Sequence, residues 1–320
     1  MVFTTSKLNA ELHLAITVVL LLGLIVPAIS QNPSDDVRGI KSREYARRIQ
    51  DQVAKRRPRA NRAKPKTVAR YVAVANDNAP VAEGLDVGVT LWRLRPAQKA
   101  DPQNVQEPKR IVVRKKGQSE EKTVMMVPAR AESETVFADG DLLKMSIEPP
   151  FESYIYIINR EQYKDGSYSE PYLIFPEKSD ADRNGKGFPG KLVFLPSEND
   201  DDKFEVTQLT RDGAEKVAEV FTVVLSRQPI KELPPLETSD VPRRIDKQQF
   251  EHWQNEWSGR AWKFEKQGSA DTSITRVEKT AGAKVGARLT ESDPYPQTVY
   301  HIERKSTDIL LFDVSLKIRK

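Results

Sequence analysis

The sequence predicts a mostly β protein, in which an antiparallel β-sandwich central domain is followed by a small α+β unit. A signal helix and a disordered basic linker precede both. Three observations support this. Residues 84–232 carry short runs of Val, Ile, Tyr and Phe at a spacing of about 8–12 residues, broken by Gly-Asp, Asn and Leu-Pro corners, as in sandwiches and barrels. Residues 243–320 join one amphipathic helical stripe to further alternating strands. The front of the chain is an apolar run followed by a basic stretch without periodicity.

The apolar run extends from Leu14 to Ile29 and ends in Pro27-Ala28-Ile29-Ser30 before Gln31. Small residues at Ala28 and Ser30 fit an A-x-A-like peptidase site, and the run is shorter than the ~20 residues of a bilayer span. The expectation is a signal peptide over 1–30, cleaved after Ser30, and a periplasmic or secreted protein. The alternative is a membrane anchor through 14–29 with an inward-facing β domain. It is favoured by Arg38, Lys41, Arg43, Arg47 and Arg48, which outnumber Asp35, Asp36 and Glu44. The chain has no cysteine, which excludes acylation as a lipoprotein, disulfides, thiol nucleophiles and thiolate metal sites together.

Residues 31–83 read as linker. The segment Lys55-Arg-Arg-Pro58-Arg-Ala-Asn-Arg-Ala-Lys-Pro65-Lys66 has like-charge repulsion, two prolines and too little apolar surface to offset its ordering entropy. Upstream, Tyr45, Ile49 and Val53 recur every four residues and suit a short amphipathic helix. Such an arm suits an anionic envelope polymer or a membrane surface. Nucleic acid is disfavoured, because Tyr45 and Tyr71 are the arm's only aromatic residues and no base-reading motif accompanies them.

In the central domain, Val87 to Arg95 alternates as a strand, and Arg110–Arg114 and Thr123–Val127 flank a hairpin turn at Lys116-Gly117-Gln118-Ser119. Strands follow at Leu143–Ile147, Tyr154–Asn159, Pro171–Phe175, Leu192–Leu195, Phe204–Val206 and Glu219–Leu225. Tyr154, Tyr156 and Ile158 share one face of their strand, and Ile155 and Ile157 the other, so that strand is central and its tyrosines belong to the core edge. Pro229, Pro234, Pro235 and Pro242 mark the following linker.

Across residues 137–230 the order of a Gly-Asp turn (Gly140-Asp141), a Tyr-x-Tyr strand near Asn159, a strand ending in Phe175-Pro176 and a Leu195-Pro196 corner resembles the bacterial family called domain of unknown function 4384. The resemblance implies an accessory module, since relatives sit behind caspase-like peptidase or kinase domains. It supplies no site residues, and its motifs are structural.

In the C-terminal unit Asp246, with Gln249 three residues on, begins a helix that Gly259 would stop, and Phe250, Trp253 and Trp257 form one stripe suited to packing on a sheet. Strands are predicted at Ala261–Glu265, Ser273–Val277, Thr298–Glu303 and Ile309–Ile318. The last has Phe312, Val314, Leu316 and Ile318 on one face, and Lys305–Asp308 would close the final two strands into a hairpin.

No motif survives as chemistry. Gly185-Lys-Gly187-Phe-Pro-Gly190 has the letters of a dinucleotide fingerprint but precedes a strand, not a helix. Asp180, Asp182 and Asn184 match alternate positions of a calcium loop, yet Lys191 stands where a closing Glu belongs, leaving only a weak calcium candidate. Ser119 and Lys122 reproduce S-x-x-K in a turn rather than at a helix start, and Lys279-Thr-Ala-Gly282 is a near match to K-T-G. His252 and His301 have no nucleophile or ligand at a recognisable spacing. No catalytic, cofactor-binding or metal residue is assigned. The expected function is a non-enzymatic binding or structural module of the cell envelope with an unknown protein or polymer partner, and a carboxylate-dependent glycan hydrolase is the remaining alternative.

Overall fold

The computed structural model describes residue 38 and residues 84–115, 118–176, 185–196, 204–208, 214–233, 242–266, 268–283, 286–303 and 308–319. All belong to a single unit spanning 35–320. Among them the strands form two sheets, of eight and seven strands.

The first sheet is built on β1 (Gly84–Pro96). Its residues 88–93 pair with β5 (Leu142–Glu148) on one edge. On the other edge, residues 84–89 pair with β14 (Thr298–Glu303) and residues 91–96 with β3 (Gln118–Ala131). The partner changes at Thr90, so the sheet forks there. One arm continues to β13 (Ala261–Glu265) and the other to β2 (Glu107–Lys115). β5 divides its free edge similarly between β10 (Phe204–Glu205) and β9 (Val193–Leu195).

The second sheet runs β12 (Arg243–Arg244), β7 (Tyr172–Phe175), β6 (Ser153–Tyr163), β11 (Lys216–Ser226), β15 (Ile309–Ile318) and β4 (Val136–Phe137), with β8 (Lys186–Gly187) on the start of β6. Its pairs are antiparallel except β15 with β4.

Alternation along the strands delivers one core from both sheets. Val87, Val89, Leu91, Met145 and Ile147 of the first sheet meet Ile155, Ile157, Phe221, Val223, Phe312 and Val314 of the second. Tyr300 and Phe312 touch across the layers with ring centres 4.9 Å apart. The corners noted in the sequence sit between strands. Gly140 has φ +81°, a left-handed conformation that an L side chain adopts at a cost, and both Phe175-Pro176 and Leu195-Pro196 are cis.

Each sheet also has its outer face covered. Helix α1 (Lys247–Trp257) is capped by Asp246, whose carboxylate accepts from the Gln249 amide at 3.0 Å. Its stripe of Phe250, Trp253 and Trp257 packs on Tyr156, Ile158, Leu173, Val224 and Leu311 of the second sheet. At about 1.5–3 kcal/mol per buried large side chain, three such residues hold the helix in place. A Cβ at Gly259, just beyond the helix, would lie 1.8 Å from the Glu303 carbonyl oxygen, so the chain passes β14 only without a side chain there.

Residues 243–320 do not make a sheet of their own. β13 and β14 extend the first sheet, and β12 and β15 belong to the second. The hairpin expected at 305–308 is therefore replaced by two strands in different layers. Alternation states which face of a strand is apolar but not which sheet the strand joins. The strand expected at Ser273–Val277 is likewise replaced. Ser273 makes a single bridge to Ala129, and helix α2 (Arg276–Gly282) follows. Its start is a capping box. The Thr275 hydroxyl accepts from the Glu278 amide, and the Glu278 carboxylate accepts from the Thr275 amide.

One surface carboxylate ties the layers together at their end. Glu134, after β3, accepts from Lys317 of β15 at 2.5 Å and from Lys263 of β13 at 2.9 Å, and these bonds bring its pKa down to about 2.

Two outcomes follow for stability. Ending the chain before β15 removes the neighbour of β11, so residues 84–232 should lose cooperative unfolding in urea rather than persist as a folded sandwich. Glu134 contributes stability that is complete above the ordinary 4.5 of its type and is lost as pH falls toward 2. Glu134→Gln should flatten that part of the acid-unfolding curve, and about 1 M salt should shrink the difference because the group is exposed.

Candidate functional site

The outer face of the second sheet is apolar under α1, whereas that of the first mixes polar side chains with an apolar cluster of Trp92, Leu192 and Phe194 packed on Ile274, Ala281 and Leu289. Register places Trp92 opposite Lys144, Thr90 opposite Ser146 and Gly88 opposite Glu148 on the same face. Trp92, Thr90, Lys144, Ser146 and Glu148 are all buried. A desolvated row of this kind must find partners in whatever covers it. The cover includes α2, the segment 286–297, Val105 and Glu107, and one residue from far upstream, Arg38.

Arg38 is 2% exposed although it lies in the stretch read as linker; the rest of 31–83 falls outside the described residues. Its Nε donates to Glu148 Oε1 at 2.8 Å and its Nη2 to Oε2 at 2.5 Å, a two-pronged pair of guanidinium and carboxylate edges. Nη1 donates to the carbonyl oxygens of Pro294 at 2.5 Å and Asp293 at 3.3 Å. The Tyr295 ring lies under the guanidinium, 5.2 Å from its carbon.

A second buried pair shares the layer. Arg130 of β3 donates to Glu278 of α2, and the Arg130 guanidinium lies 5.1 Å over the Trp92 ring, whose Nε1 donates to the Ser146 hydroxyl at 2.9 Å. Glu278 thus serves as N-terminal capping carboxylate and as counter-ion at once. The Arg130 Nη1 atom is buried without a hydrogen-bond partner.

Burial pushes the Glu148 carboxyl above the ordinary carboxylate range. The Arg38 guanidinium counters this in part, and the nearby Glu278 charge adds to it. For Arg38 burial opposes the charge, but the bond to Glu148 and its negative charge outweigh that, and the pKa rises. The guanidinium therefore stays charged, while the carboxylate depends on it.

Three other clusters are committed to internal partners. Glu161 of β6 and Glu219 of β11 stand directly opposite each other, and buried Lys216 bridges them, 3.2 Å from Glu161. Asn159 Nδ2 donates to Glu219 at 2.9 Å, and the Tyr163 hydroxyl donates to Glu161 at 2.7 Å. His301 Nδ1 lies 2.6 Å from Asp86 Oδ1, beside the Trp262 ring. The Arg160 guanidinium sits 4.5 Å from both the Tyr168 and Phe250 ring centres and 3.5 Å from Asp313.

Asp180, Asp182 and Asn184 lie outside the described residues, and among those described no three His, Asp or Glu side chains group as a metal shell. Gly185–Gly190 contains β8 and leads to β9, without a helix for a pyrophosphate. Ser119 and Lys122 lie on strand β3 and not at a helix start, and Lys279–Gly282 lies in α2. His252 is exposed, 3.2 Å from Glu256. The Tyr156 hydroxyl accepts from the Ile230 amide at 2.9 Å. Sequence reasoning missed Glu148, Arg130 and Glu278, and met Arg38 only as one charge of a basic cluster. The usable signals were the Thr275-x-x-Glu278 capping box and the alternation of Lys144, Ser146 and Glu148 against an apolar face.

No protein-family description, curated protein or solved structure matches the chain.

Removing one partner of a buried ion pair typically costs about 3–5 kcal/mol, whereas replacing both by apolar groups can be nearly neutral. Arg38→Met should therefore destabilise the protein at neutral pH by that order in urea melts, and Arg38→Met/Glu148→Leu should recover most of the loss. The loss should depend on pH. A carboxyl whose folded pKa is raised supports folding fully below its unfolded value and progressively less as pH rises toward the folded value. Arg38→Met should thus lose stability at up to about 1.4 kcal/mol per pH unit above pH ~4.3, and the double variant should not. A single variant with no pH dependence beyond wild type would show that Glu148 does not rely on Arg38.

Proposed function

We propose that this is a non-enzymatic, exported binding or structural module of the bacterial cell envelope, as the resemblance over 137–230 and the apolar run ending at Ser30 suggest. The observation that carries the reading is the docking of Arg38. It follows Ser30 by eight residues, and eight residues span at most roughly 28 Å. Arg38 and Gly84, which flank residues 39–83 and their basic segment 55–66 in the sequence, are both fixed in the sandwich. Attachment of that segment to an anionic envelope polymer is the binding mode we propose.

The arrangement of carboxylates supports holding rather than turnover. A glycan hydrolase requires two acids facing each other across room for a sugar bond, one of them with a raised pKa. Among the described residues, Glu161 and Glu219 stand opposite each other with Lys216 between them, and Glu148, whose pKa is raised, is engaged on both oxygens by Arg38.

A second reading rests on the basic residues after Ser30. If residues 14–29 remain in the bilayer, the basic arm would be an inner-leaflet contact and the β domain would face inward. Among the described residues no helix is long and apolar enough to cross a membrane, and 14–29 lie outside them.

Cell fractionation with mass spectrometry of the purified N-terminus separates the two. Export gives a chain beginning at Gln31 in the periplasm or medium; an intact Met1 in membranes, with the body protected from external protease, overturns it. For the exported protein, deletion of 55–70 should abolish salt-sensitive retention on isolated envelopes while the thermal transition persists. Unchanged retention would remove the role assigned to the basic segment.

A further inference from the structure

Arg38 meets its socket as a ligand meets a site. It comes from far away in the sequence, and every group it touches suits a guanidinium: a carboxylate edge for two nitrogens, carbonyl oxygens for the third and a ring for the flat face. The socket walls, moreover, are held by bonds that do not involve Arg38. Glu148 ends β5 and is fixed in register against Gly88. The turn carrying the two carbonyls is closed by the Asp293 carboxylate, which accepts from the Thr290 amide at 2.7 Å and the Thr290 hydroxyl at 2.8 Å. Its far end is pinned where the Gln297 amide donates to the Thr90 hydroxyl at 2.9 Å and Gln297 Nε2 donates to the Lys266 carbonyl at 2.5 Å.

We propose that Glu148, the carbonyl oxygens of Asp293 and Pro294, and the Tyr295 ring form a preorganised guanidinium-binding site of which Arg38 is the intramolecular occupant, and that the site accepts an arginine side chain from another polypeptide segment when Arg38 is withdrawn. An ammonium ion does not substitute. It lacks the planar fork that meets both carboxylate oxygens while a third nitrogen reaches the carbonyls. The site does not depend on which side of a membrane the protein occupies.

The test uses the full chain with Arg38→Gly, which empties the socket. Ethylguanidinium or N-acetyl-arginine amide, at millimolar concentrations far below denaturing ones, should raise the melting temperature saturably, by roughly 5 °C. Ethylammonium and N-acetyl-lysine amide should not, and wild type, its socket filled, should not respond. Adding Glu148→Gln to the variant should abolish the response. If Arg38→Gly does not fold alone, refolding with ethylguanidinium present should recover the native circular dichroism signal. A folded variant indifferent to guanidinium compounds, an equal response to ethylammonium, or no recovery on refolding would each overturn the proposal.

Discussion

Neither sheet of this sandwich can leave its outer face to water, and most of the remaining structure answers that constraint. Strand β6 points Ile155 and Ile157 into the core and Tyr156 and Ile158 away from it, and its neighbours repeat the pattern with Val223 and Val224, and with Leu311 and Phe312. Exposing those outward side chains would forfeit about as much transfer free energy as burying the inward ones provides. Helix α1 is the cover, an aromatic stripe on an apolar surface. The other sheet has the same geometric requirement but a different chemistry, because its outward row is Lys144, Ser146 and Glu148 beside Thr90 and Trp92. An apolar helix laid there would strand charges at a cost of several kcal/mol per ion. That face is covered by Ile274, Ala281 and Leu289 over its apolar part and by Glu278, a pinned turn and Arg38 over its charges.

The apolar half of this design was legible in the sequence. Apart from Ser273–Val277, the strands expected between Val87 and Ile318, the two-faced strand at Tyr154–Ile158, the cap at Asp246 and the stripe of Phe250, Trp253 and Trp257 follow from period-two or period-3.6 alternation and local capping, and the structure has each of them. Assignment of strands to sheets was not legible. Thr298–Glu303 and Ile309–Ile318 are near neighbours in sequence and read as a hairpin, yet the first pairs with β1 and the second with β11. Their side-chain alternation is the same in either arrangement. Helix α2 was obscured because Ile274 and Val277 imitate a strand more loudly than a single capping box announces a helix.

The ionic half was hidden for another reason. A buried ion pair between residues 38 and 148 leaves no periodic trace, and an arginine among many near an apolar run looks like a topology signal. Its role emerges only when the polar row on β5 is seen to be covered. The same holds for Arg130, whose partner Glu278 lies 148 positions away.

The two covers also differ in what they can distinguish. An apolar face accepts any stripe of suitable width, so the identity of α1 matters less than its shape and volume. A buried carboxylate in a fixed position accepts one kind of partner and penalises the rest, because a mismatched side chain leaves the charge unpaired. The Arg38–Glu148 pair need not add net stability over two well-packed apolar residues in order to matter. It determines that the segment lying on this face is one that presents a guanidinium at the right point. Paired with the capping role of Glu278, it sets α2, the turn at Asp293–Tyr295 and the residue behind the apolar run into one arrangement on the sheet. Specificity of cover, more than strength of cover, is what the charged layer contributes to this fold.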